Sequence, residues 1–180
     1  MKKYNVGMVF CEGFVFKDND LNDVSKYQDY PVFNKEIKFE DMLFRDYVGT
    51  TTQALIRREC FAKVGLFDPL MPARQDYEMW IRISKDYSII GTSEPLFYHR
   101  IHSGEQISKN MEKVLIGYNN IYKKYKEYYK KCSRANAKMQ LKLCKFNYKN
   151  GHYLKAIKCC ICASIINPKV VLRTIKNYEK

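Results

Sequence analysis

The sequence predicts an α/β domain over residues 1–108 followed by an all-helical, basic extension over residues 109–180. Three observations lead there. Up to Ser108, apolar runs rich in β-branched and aromatic residues alternate with helical stripes. Beyond Ser108 the apolar spacing is helical throughout. The charge changes at the same place: residues 1–108 hold 14 Lys and Arg against 16 Asp and Glu, whereas residues 109–180 hold 18 against 3. The formal net charge of +13 is therefore supplied by the tail. With 180 residues, 46% of them apolar, the chain buries the core of one domain or one and a half, which excludes disorder for most of it.

From Val6 to Phe16 the composition is that of a buried strand or of two short ones, ended by the turn residues of Lys17–Asp23. Residues 17–36 read as a loop or extended excursion. Phe39, Met42, Leu43 and Asp46-Tyr47 mark a short helix over Phe39–Tyr47, stopped by Gly49. Thr50–Ile56 has strand composition and runs into a helix of one or two turns, Arg58–Val64, closed by Gly65. Asp68-Pro69 and Met71-Pro72 force a loop. The next helix, from Gln75 to about Lys85, sets Tyr77, Trp80, Ile81 and Ser84 on one face at i, i+3, i+4 and i+7. Tyr87–Gly91 and Leu96–Ile101 read as two further strands, separated by a turn at Ser93-Glu94-Pro95.

In the extension, Val114, Tyr118, Ile121, Tyr125 and Tyr128 form one amphipathic seam. A second helix, about Ser133–Lys149, ends at Asn150-Gly151, and a third spans His152–Asn167 before Pro168. In that third helix Ala156, Cys160 and Ala163 put small residues on one side, so the hairpin resembles a single tetratricopeptide-type repeat. The seven cysteines read as reduced thiols. Cys159-Cys160-Ile161-Cys162 with His152 lacks zinc-knuckle spacing and reads as small helix-core residues. The basic start at Met1-Lys2-Lys3 is followed by an apolar segment interrupted by Glu12 and Lys17, which argues against a signal peptide. No apolar run reaches the ~18 residues of a membrane span, so a cytoplasmic chain is expected.

Two groups of residues could carry chemistry. Asp76 stands in the first turn of a helix after a proline-containing loop, flanked by Arg74 and Gln75 and followed by Glu78. A general base needs a carboxylate held near such a loop, although a helix N-terminus favours Asp for its charge alone. In Tyr98-His99-Arg100-Ile101-His102, strand alternation sends Arg100 and His102 to one face and His99 and Ile101 to the other. Arg100 with His102 would suit a diphosphate or a metal-bound phosphate, and a plain surface strand with one buried histidine has the same pattern.

The ordered string from "VGTTTQALIRRECFAKVGLFD" through "QDYEMWIRI" to "YHRIHSGEQIS" resembles the second half of the catalytic domain of family 2 glycosyltransferases, over roughly residues 4–108. That resemblance implies a partial GT-A fold and inverting sugar transfer from a nucleotide-sugar donor to a saccharide or lipid-linked acceptor. It implies Asp76 as the general base, with Gln75 where many relatives carry Glu. Gly49 and Thr51 would belong to the glycine-containing loop before the base, and Gln75 and Arg100 would join them in binding substrate. His102 would reach the metal, a divalent cation (Mg²⁺ or Mn²⁺) expected only in the complete enzyme. The family's nucleotide-binding half, with its D-x-D signature, normally precedes the strand matching Val6–Phe10. These 180 residues therefore read as the later part of such a domain, with doubtful activity alone. Asp18-Asn19-Asp20 is a literal D-x-D in a polar turn after that strand, not the expected metal site. The Q-x-x-R-W run of processive synthases is missing after Gln106, which favours a single-transfer enzyme.

The tail suggests a different working part. Its excess positive charge suits an anionic phospholipid surface, which would place the protein peripherally at the inner face of the cell membrane, in an interaction or membrane-surface module. Tyr122-Lys123-Lys124-Tyr125-Lys126 also interleaves aromatic and basic residues as nucleic-acid binders do. Against nucleic acid, the seam tyrosines face the helix core.

Overall fold

Strand β1, Val6–Lys17, is the spine of the sheet in the computed structural model, which describes residues 5–17, 20–27, 36–101 and 110–176. Along one side it pairs in parallel with β5, Ser88–Ile101. On its other side it pairs antiparallel first with β4, Ala54–Ile56, opposite Met8–Phe10, and then with β2, Asp20–Lys26, opposite Phe14–Lys17. The short β3, Glu36–Ile37, completes a mixed five-stranded sheet against β5. Three helices, α1, Phe39–Phe44; α2, Arg58–Val64; and α3, Gln75–Asp86, belong to this front part apart from Leu43–Phe44 and Gln75. The chain is thus mixed α/β, and it divides into two units.

Several expectations are corrected here. Part of the segment read as an excursion forms β2, whose polar sequence DLNDVSK gives no apolar alternation to detect. Thr50–Ile56 is not one strand: Thr51–Gln53 make a 3₁₀ turn and only Ala54–Ile56 pair with β1. The short helix ends at Phe44 rather than Tyr47. The two late strands are one, β5, in which Gly91 to Pro95 oppose only Phe10 to Glu12 of β1. Ser93-Glu94-Pro95 is accommodated as an irregularity of the ladder, because two successive stretches of β5 keep the same partner. The helix over Arg58–Val64 forms as expected, with Gly65 closing it at φ 83°.

The core of the first unit gathers Met8, Phe10, Ile37, Met42, Val48, Cys60 and Ile89 with Tyr77, Met79, Trp80, Ile81 and Ile83 of α3. Helix α3 is buried on nearly every side, more than the single stripe expected for it. Cys60 packs against β1, its thiol donating to the Gly7 carbonyl at 3.3 Å, and burial pushes that thiol's pKa up. Iodoacetamide near neutral pH should therefore modify the exposed Cys160 and spare Cys60 until urea unfolds the chain, as peptide mass mapping would show. Equal labelling of both in the native protein would contradict this packing.

The second unit is helical: α4, Met111–Lys124; α5, Lys126–Lys131; α6, Ser133–Lys149; α7, Tyr153–Ile166; and α8, Pro168–Lys176. Two short segments, Leu43–Arg45 and Pro69–Gln75, also belong to it, which a sequence boundary at residue 108 does not anticipate. Val114, Tyr118, Ile121 and Tyr125 are buried as expected, but Tyr128 is exposed and Tyr129 takes the inner position. The helix breaks at Tyr125, and that shifts the phase by one residue. The Tyr129 hydroxyl then donates to the Leu43 carbonyl at 3.3 Å. In α7 Ala156 and Ala163 are buried, whereas Cys160 is exposed rather than part of the packed stripe.

Gly117 of α4 marks a close approach. A Cβ there would sit 2.4 Å from the Ala73 carbonyl oxygen, so backbone rather than a flexible side chain would have to move. On an isolated helix Gly→Ala stabilises by about 1 kcal/mol. Here Gly117→Ala should instead destabilise by about 1–2 kcal/mol, because overpacking against backbone outweighs the propensity gain. Thermal unfolding followed by circular dichroism gives the sign, and a raised Tm would contradict the contact.

Candidate functional site

The loop before α3 ends in a strained turn: Arg74 adopts φ 64°, a conformation uncommon for a residue with a Cβ. Gln75 then opens the helix, half-buried. Asp76 follows, and one of its carboxylate oxygens accepts a 2.7 Å hydrogen bond from the Tyr77 amide. Helix N-termini favour such an acid, since their amides lack intrahelical partners and the dipole is positive there. Asp76 is half-buried and fixed by this bond.

The surroundings of that first turn are set from two directions. The Tyr77 hydroxyl donates to the Met42 carbonyl at 2.7 Å, anchoring the helix start to the end of α1. One turn further, on the same face as Asp76, the Trp80 indole N–H reaches the Gly49 carbonyl at 3.4 Å. Gly49 has φ 84°, and its amide together with that of Val48 donates to an Asp46 carboxylate oxygen at 2.9 and 3.2 Å. This is an Asx-type turn, in which a side-chain acceptor fixes a backbone reversal and glycine supplies the left-handed position. Trp80 thus joins the helix carrying Asp76 to the loop carrying Gly49.

Beyond Gly49 the segment is polar and incompletely satisfied. Thr50 Oγ1 and Gln53 Nε2 are buried without a hydrogen-bond partner among the described residues, and Gln53 is only 5% exposed. Buried polar groups are nearly always paired, so two such atoms within four residues mark a place where a polar ligand or ordered water fits. Thr51 lies on the exposed side of the same 3₁₀ turn. Sequence reasoning missed Asp46 and Gln53. The spacing Asp46 to Gly49 is itself a turn signal that could have revealed the first. Nothing in the sequence distinguishes Gln53 from its neighbours.

Helix α3 is held rigidly by a buried ion pair. Glu78 is fully buried, and both of its carboxylate oxygens accept from Arg82 Nε, at 2.9 and 3.1 Å. The same guanidinium donates through its other two nitrogens to the carbonyls of Val64 at 2.6 Å and Leu66 at 2.8 Å. One arginine therefore neutralises the buried acid and ties down the end of α2.

Arg100 lies elsewhere in the unit. It pairs with Phe16 while Ser88, next to the end of α3, pairs with Val6. Ten residues of β1 therefore separate its register position from the end of the strand nearest α3. It is exposed, on the strand face shared with Tyr98, whose ring contacts Phe14 at 5.5 Å, while His99 meets Tyr27 on the opposite face. His102, the expected metal contact, and Asp18 and Asn19 of the literal D-x-D lie outside the described residues. Among the described residues no three His, Cys, Asp or Glu side chains gather in a way that could hold a metal ion. A hollow of about 480 Å³ opens between Val6–Val9 and Leu55–Arg57 on the β1–β4 ladder, and none of the sequence-predicted site residues lines it.

No protein-family model matches this chain, and no curated protein shows significant similarity to it.

Proposed function

We propose that the first unit is the acceptor-side part of a GT-A-type inverting glycosyltransferase, with Asp76 as general base, and that the helical unit is a tetratricopeptide-like extension. The single observation that carries this reading is the fixed carboxylate of Asp76 on the α3 face that Trp80 links to the Gly49 turn. Such an arrangement can take a proton from a hydroxyl held beside the loop. The donor is a nucleotide sugar, and the acceptor is a saccharide or lipid-linked sugar used in surface polysaccharide or glycolipid synthesis.

In the proposed reaction the acceptor oxygen attacks the anomeric carbon while its proton passes to the Asp76 carboxylate. The bond from that carbon to the diphosphate oxygen breaks, and the nucleoside diphosphate leaves with the electron pair. Attack opposite the leaving group inverts the configuration. Gly49 and Thr51 would orient the acceptor, and the amide nitrogen of Gln53, unpaired among the described residues, offers it a further donor. A lipid-linked acceptor would place the protein at the inner face of the cell membrane. Among the described residues no helix is long and apolar enough to cross a membrane.

The reading is tested by incubating the full-length natural protein with labelled nucleotide sugars, membrane-derived acceptors and Mg²⁺ or Mn²⁺. Acceptor-dependent release of nucleoside diphosphate is expected. Failure of every donor to react would overturn the proposal.

A further inference from the structure

Helices α7 and α8 each expose more aliphatic surface than a water-facing helix needs. On α7, Leu154, Ile157, Ile161 and Ile165 are 84, 57, 55 and 78% exposed. Their spacing of 3, 4 and 4 residues places them in one stripe, opposite the buried Ala156 and Ala163. On α8, Leu172 and Ile175 continue the exposed set, while Val170 and Val171 turn inward. Nothing among the described residues covers these six side chains, which lie close together in sequence.

The charge around them selects the occupant. Residues 128–176 contain twelve Lys and Arg and no Asp or Glu. Lys155 and Lys158 lie among the stripe residues of α7, and Lys169, Arg173 and Lys176 stand beside Leu172 and Ile175 on α8. A second copy of this face would bring two strongly positive surfaces together, so self-association is disfavoured. Helix α7, at 14 residues and roughly 21 Å, is too short to cross a hydrocarbon core of about 30 Å. An aliphatic stripe rimmed by lysines is suited to lying in the plane of an anionic bilayer surface, with its apolar side chains below the headgroups and its ammonium groups among the phosphates.

We propose that α7 and α8 are a monotopic membrane-binding element that inserts Leu154, Ile157, Ile161, Ile165, Leu172 and Ile175 into the interface of an anionic bilayer. The proposal is independent of sugar transfer, and its test needs neither donor nor acceptor.

The full chain is sedimented with vesicles of phosphatidylcholine alone and of phosphatidylcholine with phosphatidylserine at about 3:1. Binding is expected only to the anionic vesicles, with a fraction that survives high salt. The double variant Leu154→Ser/Ile165→Ser changes two solvent-exposed positions and should fold as the parent does. Its partitioning should fall by about tenfold or more, with the salt-resistant fraction lost. In Ile161→Trp, brominated lipid should quench the added indole fluorescence. The proposal is overturned if the double variant binds like the parent, since charge alone would then explain adsorption. Equal binding to neutral vesicles, a concentration-dependent dimer that buries the stripe, or tighter binding to RNA than to anionic vesicles would also overturn it.

Discussion

With Asp76 in its proposed role of general base, Asp76→Asn should lower sugar transfer by about 10²- to 10⁴-fold, the usual range for removing such a base. The substitution is nearly isosteric, and its amide oxygen can still accept the bond from Tyr77 N, so the cap on α3 survives. Thermal stability and nucleotide binding should both stay close to the parent's. Asp76→Ala removes the acceptor as well, and should add a stability loss of about 1 kcal/mol to the loss of rate. The comparison separates the two roles an acid can play at a helix N-terminus. If Asp76→Asn in the full-length protein transfers sugar at the parental rate, Asp76 is a capping residue and the assignment falls.

The largest stability effect should come from Arg82→Met. It removes the Arg82 guanidinium from the buried Glu78 carboxylate and frees the carbonyls of Val64 and Leu66. Breaking a buried pair from one side typically costs about 3–5 kcal/mol, a large share of the roughly 5–15 kcal/mol that holds a domain folded. Trp80 is the chain's single tryptophan and is fully buried in the same helix, so its fluorescence during urea unfolding reports this loss directly. The double variant Glu78→Gln/Arg82→Met should recover part of it, because the uncompensated charge is gone. An unfolding free energy for Arg82→Met within about 1 kcal/mol of the parent's would show that the pair contributes little.

What could be read from the sequence follows from where each signal arises. Helices α2 and α3 were legible because the stripe and first-turn acid of α3 and the closing glycine of α2 are local features. Strand β2 was hidden because its pairing is an edge contact made by polar residues. The continuity of β5 was hidden because its partner lies some eighty residues earlier, and Ser93-Glu94-Pro95 looks like a turn when that partner is out of view. The exchange of Tyr128 for Tyr129 depends on a helix break at Tyr125 that no glycine or proline announces. At the candidate site, Asp76 and Gly49 stand out in the sequence, but their link through Trp80 and the Gln53 amide, unpaired among the described residues, are tertiary facts. Arg82 is the same kind of case: its sequence shows an i, i+4 pair with Glu78, and only the packing makes that pair buried.

The central claim is most directly tested by following the anomeric proton of the transferred sugar by NMR while the full-length protein turns over a nucleotide-sugar donor. The account predicts an acceptor-dependent product whose anomeric configuration is opposite to the donor's. A product that retains the donor's configuration, or a donor that is never consumed across the nucleotide-sugar panel, would contradict it.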